Sequence, residues 1–277
     1  MTSALAKIQF LSSVLCLSLF LSIDSAFSDT PLRWGGDSEG GAPYSFQNPE
    51  QPTVTIGYEV DLMDHIARKT GRKALFVQNQ WDGLIPGLQR GNYDIVANGL
   101  EITDDRKQEI AFSEPYYITY EQLMVRKNTY TINSLADCAG KKVGALKYAV
   151  AERILRAQHG IDVVSYEGDF NAFEDLANGR LDAVLMDLPL ALYYGKPNPQ
   201  LKMVGAPISR IEYGLGIRKE DVALLQQVNQ ILGEMKQDGS LRRILESWGL
   251  WNEMMADYLD DHAPATMQAE HYLAFLK

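Results

Sequence analysis

From Leu32 onward, short apolar runs alternate with stretches whose apolar residues recur every three or four positions. The first kind predicts strands and the second amphipathic helices. Leu32-Arg33-Trp34 starts a strand. Residues 59–70 carry Leu62, Met63, Ile66 and Ala67 on one helical face and stop at Gly71. Leu75-Phe76-Val77 reads as a strand. Residues 82–90 read as a short helix capped by Asp82 and ended by Gly91, and 94–97 as the next strand. The order then recurs. Residues 142–146, 163–166 and 182–186 predict strands, and 150–158 and 170–178 predict the helices between them.

Letters recur as well. "LQRGNYDIV" from Leu88 and "LANGRLDAV" from Leu176 share Leu, Gly, Asp and Val at matching places, 88 residues apart. Such a connector is common by itself. The repeated element order makes two similar α/β lobes the better reading. Strand–helix–strand units imply parallel sheets covered by helices on both faces. Ligands of such sheets bind beyond the carboxyl ends of the strands. Two facing lobes would share one cleft, and Gly99 and Asp187, equivalent by the offset, should both face it.

The N-terminus reads differently. Lys7 precedes an apolar stretch, 8–23, with five serines between Ser12 and Ser25, and then Ala26-Phe27-Ser28. This predicts a secretory signal over 1–28, cleaved before Asp29; a retained membrane anchor is the alternative, and the stretch is short for one. Leu15 before Cys16 argues against a lipidated cysteine. Cleavage would leave Cys138 alone, so no intramolecular disulfide is expected. The 277 residues suit two modest domains. A net charge of −10, with no Lys/Arg run longer than two, argues against a nucleic-acid surface.

Several motifs fail on context. Gly36-Asp37-Ser38-Glu39-Gly40 has the spacing of a hydrolase elbow, but Ala42-Pro43 follows instead of a helix, and no histidine precedes Ser38. A glycine-rich loop close to a ligand is the better reading. His65, His159, His262 and His271 are scattered without metal-ligand spacing. No metal or cofactor is expected.

The segment "NGLEITDDRKQEIAFSEPYY" at 98–117 is the richest. Thr103 suits a helix N-cap, and Asp104 and Asp105 suit the positive end of the dipole. Arg106 in the first turn does not. It reads either as a surface ion-pair partner of Asp104, Asp105 or Glu109, or as a guanidinium that seats a carboxylate. Asp187 reads as a cap for Leu188-Pro189, as an ammonium-binding acid, or both. Trp81 stacks on a ligand or packs on its loop.

Together "GYEVDLMDHIARKTG", "WDGLIPGLQRGNYDIVANGLEITDDRKQEIAFSEPYY", "GKKVGAL", "NGRLDAVLMD" and "GSLRRILESWGLW" resemble the periplasmic amino-acid-binding proteins of ABC importers, relatives of the histidine-, lysine/arginine/ornithine- and glutamine-binding proteins. The resemblance runs from Leu32 to Trp251. It implies a two-lobed, type II periplasmic-binding-protein-like α/β fold with two hinge strands and a cleft between lobes. The first lobe would take 29–124 and the return segment 217–250, the second 125–216, with crossings near 123–127 and 214–218 and a helical tail over 251–277. Residue by residue, Arg106 matches the arginine holding the ligand α-carboxylate. Gly99 matches a backbone contact to the amino group, Asp187 the acid binding that ammonium, and Trp81 an aromatic on the ligand side chain.

The implied function is an extracytoplasmic receptor, monomeric and periplasmic, that captures an amino acid or derivative by lobe closure and delivers it to an ABC permease. It would be no enzyme. The alternatives are a dehydratase-like enzyme on the same fold, for which Glu101 is the one acid/base candidate, and a sensory module. Three departures bear on the ligand. Glu101 replaces a hydroxyl residue, Tyr148-Ala149 replaces Gly-Thr or Gly-Ser, and Gly40-Gly41 replaces an aromatic in the first loop. Glu101 must turn away, pair with Arg106, or meet a positive group on the ligand. With Asp37 and Glu39 nearby, a ligand with an added cationic group is the reading. The tail either packs on the first lobe or contacts another protein.

Overall fold

The computed structural model describes residues 30–39 and 41–259. The signal segment 1–28 and the distal tail lie outside the described residues. No helix among the described residues is long and apolar enough to cross a membrane.

The chain begins with β1 (Leu32–Gly36), a small hairpin of β2 (Phe46–Gln47) and β3 (Thr55–Ile56), helix α1 (Tyr58–Lys69) and β4 (Ala74–Gln78). Helix α2 (Leu84–Gln89), β5 (Ile95–Val96), α3 (Asp104–Glu109) and β6 (Ala111–Phe112) follow. A long strand, β7 (Tyr117–Arg126), leads into β8 (Lys142–Leu146), α4 (Val150–Arg156), β9 (Asp162–Tyr166), α5 (Asp169–Ala177) and β10 (Ala183–Asp187). A short turn, α6 (Leu188–Leu190), and a π-helical turn over Ala191–Gly195 precede the second long strand, β11 (Leu201–Tyr213). The chain returns through β12 (Gly216–Ile217) to α7 (Val222–Gln237), α8 (Ser240–Ser247) and α9 (Glu253–Leu259).

Two five-stranded sheets result, in the orders β4-β1-β5-β12-β6 and β11-β7-β10-β8-β9. In each, three strands are parallel, β4-β1-β5 and β9-β8-β10. A strand arriving from the other side of the molecule, β12 or β7, then adds antiparallel to the third. The expected purely parallel sheets are therefore mixed. The difference has a simple cause: the linking strands enter each sheet against its direction, and their sequence carries no mark of that.

The repeated Leu-x-x-Gly-x-x-Asp connector does the same work twice. Asp94 accepts the backbone N–H of Arg33 at the start of β1 (3.1 Å), and Asp182 accepts that of Lys142 at the start of β8 (2.9 Å). Each aspartate thus pins the third parallel strand to the first. In the first lobe Asp94 also holds the Arg33 guanidinium at 2.7 Å.

The apolar face of α1 buries Leu62, Met63 and Ile66 completely against the first sheet. Each contributes roughly 2 kcal/mol by removal from water. Helix α2 begins later than the pattern predicts. A tight turn over Trp81–Gly83 precedes it, and Asp82 makes no capping bond. Pro86 has no N–H to give the carbonyl four residues back, so regular helical bonding cannot begin at Asp82.

The passage between sheets also differs from its expected position. Leu123, Met124 and Val125 already pair on both sides inside the second sheet, while Tyr117–Thr119 pair only with β11. All residues from Tyr117 to Val125 are buried, so the change of sheet has no hydrophobic signature. The first turn of the tail, α9, packs on this passage. Asn252 donates to Tyr117 Oη (3.0 Å) and accepts from Met255 N (2.9 Å), and Met255 is fully buried beside Ile118. Replacing Asn252 with Ala leaves buried partners unmet. It should lower unfolding free energy by about 1–3 kcal/mol, read as a reduced urea midpoint at unchanged slope.

Candidate functional site

The carboxyl ends of both sets of parallel strands meet at one cleft. Its outer chamber, about 360 Å³, is lined by Asp37, Glu39, Trp81, Tyr148, Glu167 and Asp169 among others. A much smaller inner chamber, about 20 Å³, adjoins it and is lined by Tyr44, Gly99, Glu101, Asp169 and Asp187 among others. Trp81, Asn98, Leu146 and Asp169 border both. Gly99 and Asp187 face the same space, as their place in the repeat predicts.

The centre of the cleft is an ion pair. Thr103 caps α3 by accepting the N–H of Arg106 (3.3 Å). That cap aims the Arg106 side chain inward rather than at the exposed Asp104, Asp105 or Glu109. Arg106 Nη1 donates to the carboxylate Oε2 of Glu101 and to its backbone oxygen (2.8 Å). Nη2 reaches across the cleft to the carbonyl of Tyr148 (3.2 Å). The guanidinium lies 5.1 Å from the centre of the Trp81 ring, within cation–π range. The other Glu101 oxygen, Oε1, accepts the backbone N–H of Val150 (2.8 Å), on the opposite lobe. Of the three fates open to Glu101, pairing with Arg106 is the one adopted.

Trp81 spans the cleft too, its Nε1 donating to the carbonyl of Lys147 (3.0 Å). The loop it meets is bent: Tyr148 has φ +65°, a left-handed conformation uncommon for a bulky residue. The Tyr148 N–H is held by Glu152 (2.7 Å), which fixes the carbonyl facing Arg106. The Tyr148 ring is exposed at the cleft mouth. Asp37 fastens the first loop. Its carboxylate accepts the N–H of Glu39 (3.0 Å) and of Trp81 (3.1 Å). Ser38 is buried against Gln78, so no nucleophile is presented there.

Asp187 does not cap α6. Its Oδ2 accepts the Tyr213 hydroxyl, which lies 3.0 Å from that of Tyr44. Beside it is Glu121, its cross-strand partner on β7, wholly buried. Neither Glu121 oxygen meets an N–H or O–H donor. The two acids bond only when one keeps a proton. Burial first, and then the charges of Asp187 and Glu101, raise the Glu121 carboxyl far above the usual range. Burial and Glu101 likewise raise Asp187. Asp169 is raised by burial and then by Asp187, and its Oδ1 is also unpartnered. Glu101, Glu121 and Asp187 each bring an oxygen within 4.8 Å of the others, a set that fits a cation.

Glu59 holds Gly99 in place. Its Oε1 accepts the Gly99 N–H (2.7 Å) and the Tyr116 hydroxyl. Gly99 has φ +57°, and a Cβ there would come within 2.8 Å of the Tyr44 ring. The sequence reading missed Glu59, Glu121, Asp169, Tyr44 and Tyr213. For Glu121 the signal was present: a charged residue inside the otherwise uncharged run Tyr117–Val125.

This arrangement defines a class: two α/β lobes that enclose a small ligand at the ends of their strands. The chain belongs to the bacterial extracellular solute-binding proteins, family 3, whose family model matches residues 32–250. It is 37% identical to the L-cystine-binding protein TcyJ of Escherichia coli over 209 residues, 74% of this chain and 78% of that one. Among solved structures it resembles an ancestral arginine-binding protein bound to arginine, with 36% identity and a TM-score of 0.74 over 79% of this chain and 97% of that one. It resembles equally AncCDT-1, an ancestral amino-acid-binding protein described as a precursor of cyclohexadienyl dehydratase, with 33% identity and a TM-score of 0.74 over 79% and 95%.

Burial raises the Glu59 carboxyl to about 7, so the folded state binds its proton more tightly than the unfolded chain does. That stability is fully present below the ordinary value of 4.5 and is lost as pH rises through about 7. The melting temperature of the ligand-free protein should fall across this window, and Glu59→Gln should remove its share of the slope. An identical slope in the variant assigns the effect elsewhere.

Proposed function

We propose that this protein is an extracytoplasmic receptor that captures a small amino-bearing solute between its lobes and delivers it to an ABC-type importer. The observation that carries the reading is the cleft itself. Asp187 of one lobe and Trp81, Gly99 and Glu101 of the other line its inner chamber, Arg106 lies behind Glu101, and Trp81 and Tyr148 line the outer chamber. The relatives, a cystine-binding and an arginine-binding protein, support an amino compound as the ligand class. Family membership and the signal-like segment 1–28 support the periplasm as the place of action. The paired stretches Tyr117–Thr119 and Ile211–Tyr213 are our choice for the hinge, because they join the two sheets and pair with each other, with Tyr213 also bridged to Glu101.

The geometry speaks against Glu101, the acid/base candidate of the sequence, as a catalyst. An acid/base catalyst needs a free carboxylate oxygen beside the substrate. Both Glu101 oxygens are engaged, one by Arg106 and one by the Val150 N–H. The unpartnered Asp169 Oδ1 in the cleft and the descent of one structural neighbour are what a dehydratase-like role would draw on, and the turnover measurement below decides it.

The test is a thermal-shift screen of amino acids and their amine derivatives, followed by mass spectrometry of the recovered ligand. A ligand at about 100 times its dissociation constant should add roughly 2.7 kcal/mol, several degrees in melting temperature. Asp187→Ala, which removes the acid facing an ammonium, should abolish the shift while the fold persists by circular dichroism. The ligand should be recovered unchanged. Chemical turnover would transfer the protein to the enzyme class.

A further inference from the structure

The seat that the family resemblance reserves for a ligand carboxylate already holds one. Glu101 is 2% exposed. Its carboxylate is gripped by the Arg106 guanidinium from one lobe and by the Val150 N–H from the other. A ligand carboxylate would have to expel this group or lie against it, and like charges at close range in a cleft repel strongly.

The remaining lining asks for the opposite charge. At the inner end Asp169, 6% exposed with Oδ1 unpartnered, and Asp187 both line the chamber, with Glu121 buried behind Asp187. An ammonium group offers three donors to such acceptors. At the mouth lie Asp37, Glu39 and Glu167. The lining cation there, Lys147, is already bound to Glu167 at 2.6 Å. Between the two acidic ends the walls common to both chambers include Trp81 and Leu146, which suit a short hydrocarbon chain.

We infer that Glu101 serves as a built-in replacement for the ligand carboxylate, and that the cleft takes an aliphatic dication without one: an α,ω-diamine or its guanidino counterpart. The inference rests on the receptor reading and narrows its ligand class. Glu101 then acts as the specificity-determining residue, excluding amino acids by occupancy.

Matched pairs test it: cadaverine against lysine, putrescine against ornithine, agmatine against arginine, each titrated calorimetrically into wild type and into Glu101→Thr. The wild type should bind at least one amine ten or more times tighter than its parent amino acid. Glu101→Thr, which vacates the seat, should shrink or reverse that ratio. Should this variant not fold, the wild-type ratios alone decide. Amino acids bound as tightly as their amines by the wild type would overturn the inference and leave the receptor reading standing. A response to calcium or manganese with none to amines would assign the carboxylates to a metal ion and overturn it as well. No binding of any compound to wild type or variant would remove both the inference and the receptor reading.

Discussion

The Glu101–Arg106 pair is the contact on which the cleft depends. It is buried, and one carboxylate serves both lobes: Oε2 meets the guanidinium and Oε1 the Val150 N–H. A buried pair of this kind costs much of its attraction in lost hydration, so its worth lies in what it fixes. Here it fixes the distance between lobes. Tyr148 supplies its carbonyl to the same arginine at the expense of a left-handed backbone, and Trp81 covers the guanidinium while bonding to Lys147. The contacts to Val150, Tyr148 and Lys147 cross the cleft, and they start from Glu101, Arg106 and Trp81, which hold one another on the first lobe.

Around this pair the protein concentrates negative charge. Glu59, Glu121, Asp169 and Asp187 are all at least nine-tenths buried. The tyrosine hydroxyls of residues 44, 116 and 213 offset part of the cost by donating to, or chaining toward, these acids. Protons retained by the carboxyls offset more. Burying these acids together raises the carboxyls of Glu59, Glu121, Asp169 and Asp187 above their ordinary range.

Much of this was legible in the sequence. The two lobes, their strand–helix order and the equivalence of Gly99 and Asp187 follow from periodicity and one repeated connector, because burial imposes the same spacing wherever a helix covers a sheet. Arg106 was singled out because a cation in a first helical turn is locally unfavourable, and such conflicts mark sites. What stayed hidden depends on tertiary placement. The antiparallel entry of β7 and β12 has no local signature. Glu121 and Asp169 became site residues only when β7 and the start of α5 set them near Asp187. The partner of Arg106 was undecidable between four acids, since the chain direction after Thr103 determines which one it can reach.

The tether between Glu101 and Arg106 has a consequence for selectivity in a crowded compartment. The two residues are five apart in one chain, so the internal carboxylate confronts its arginine at an effective concentration of the order of millimolar or higher. A free carboxylate at micromolar concentration competes with it at a standing disadvantage of about a thousandfold. On the ligand class inferred above, Glu101 would act as a tethered competitor for the arginine. Its strength as a competitor comes from the tether, since the side chain cannot diffuse away.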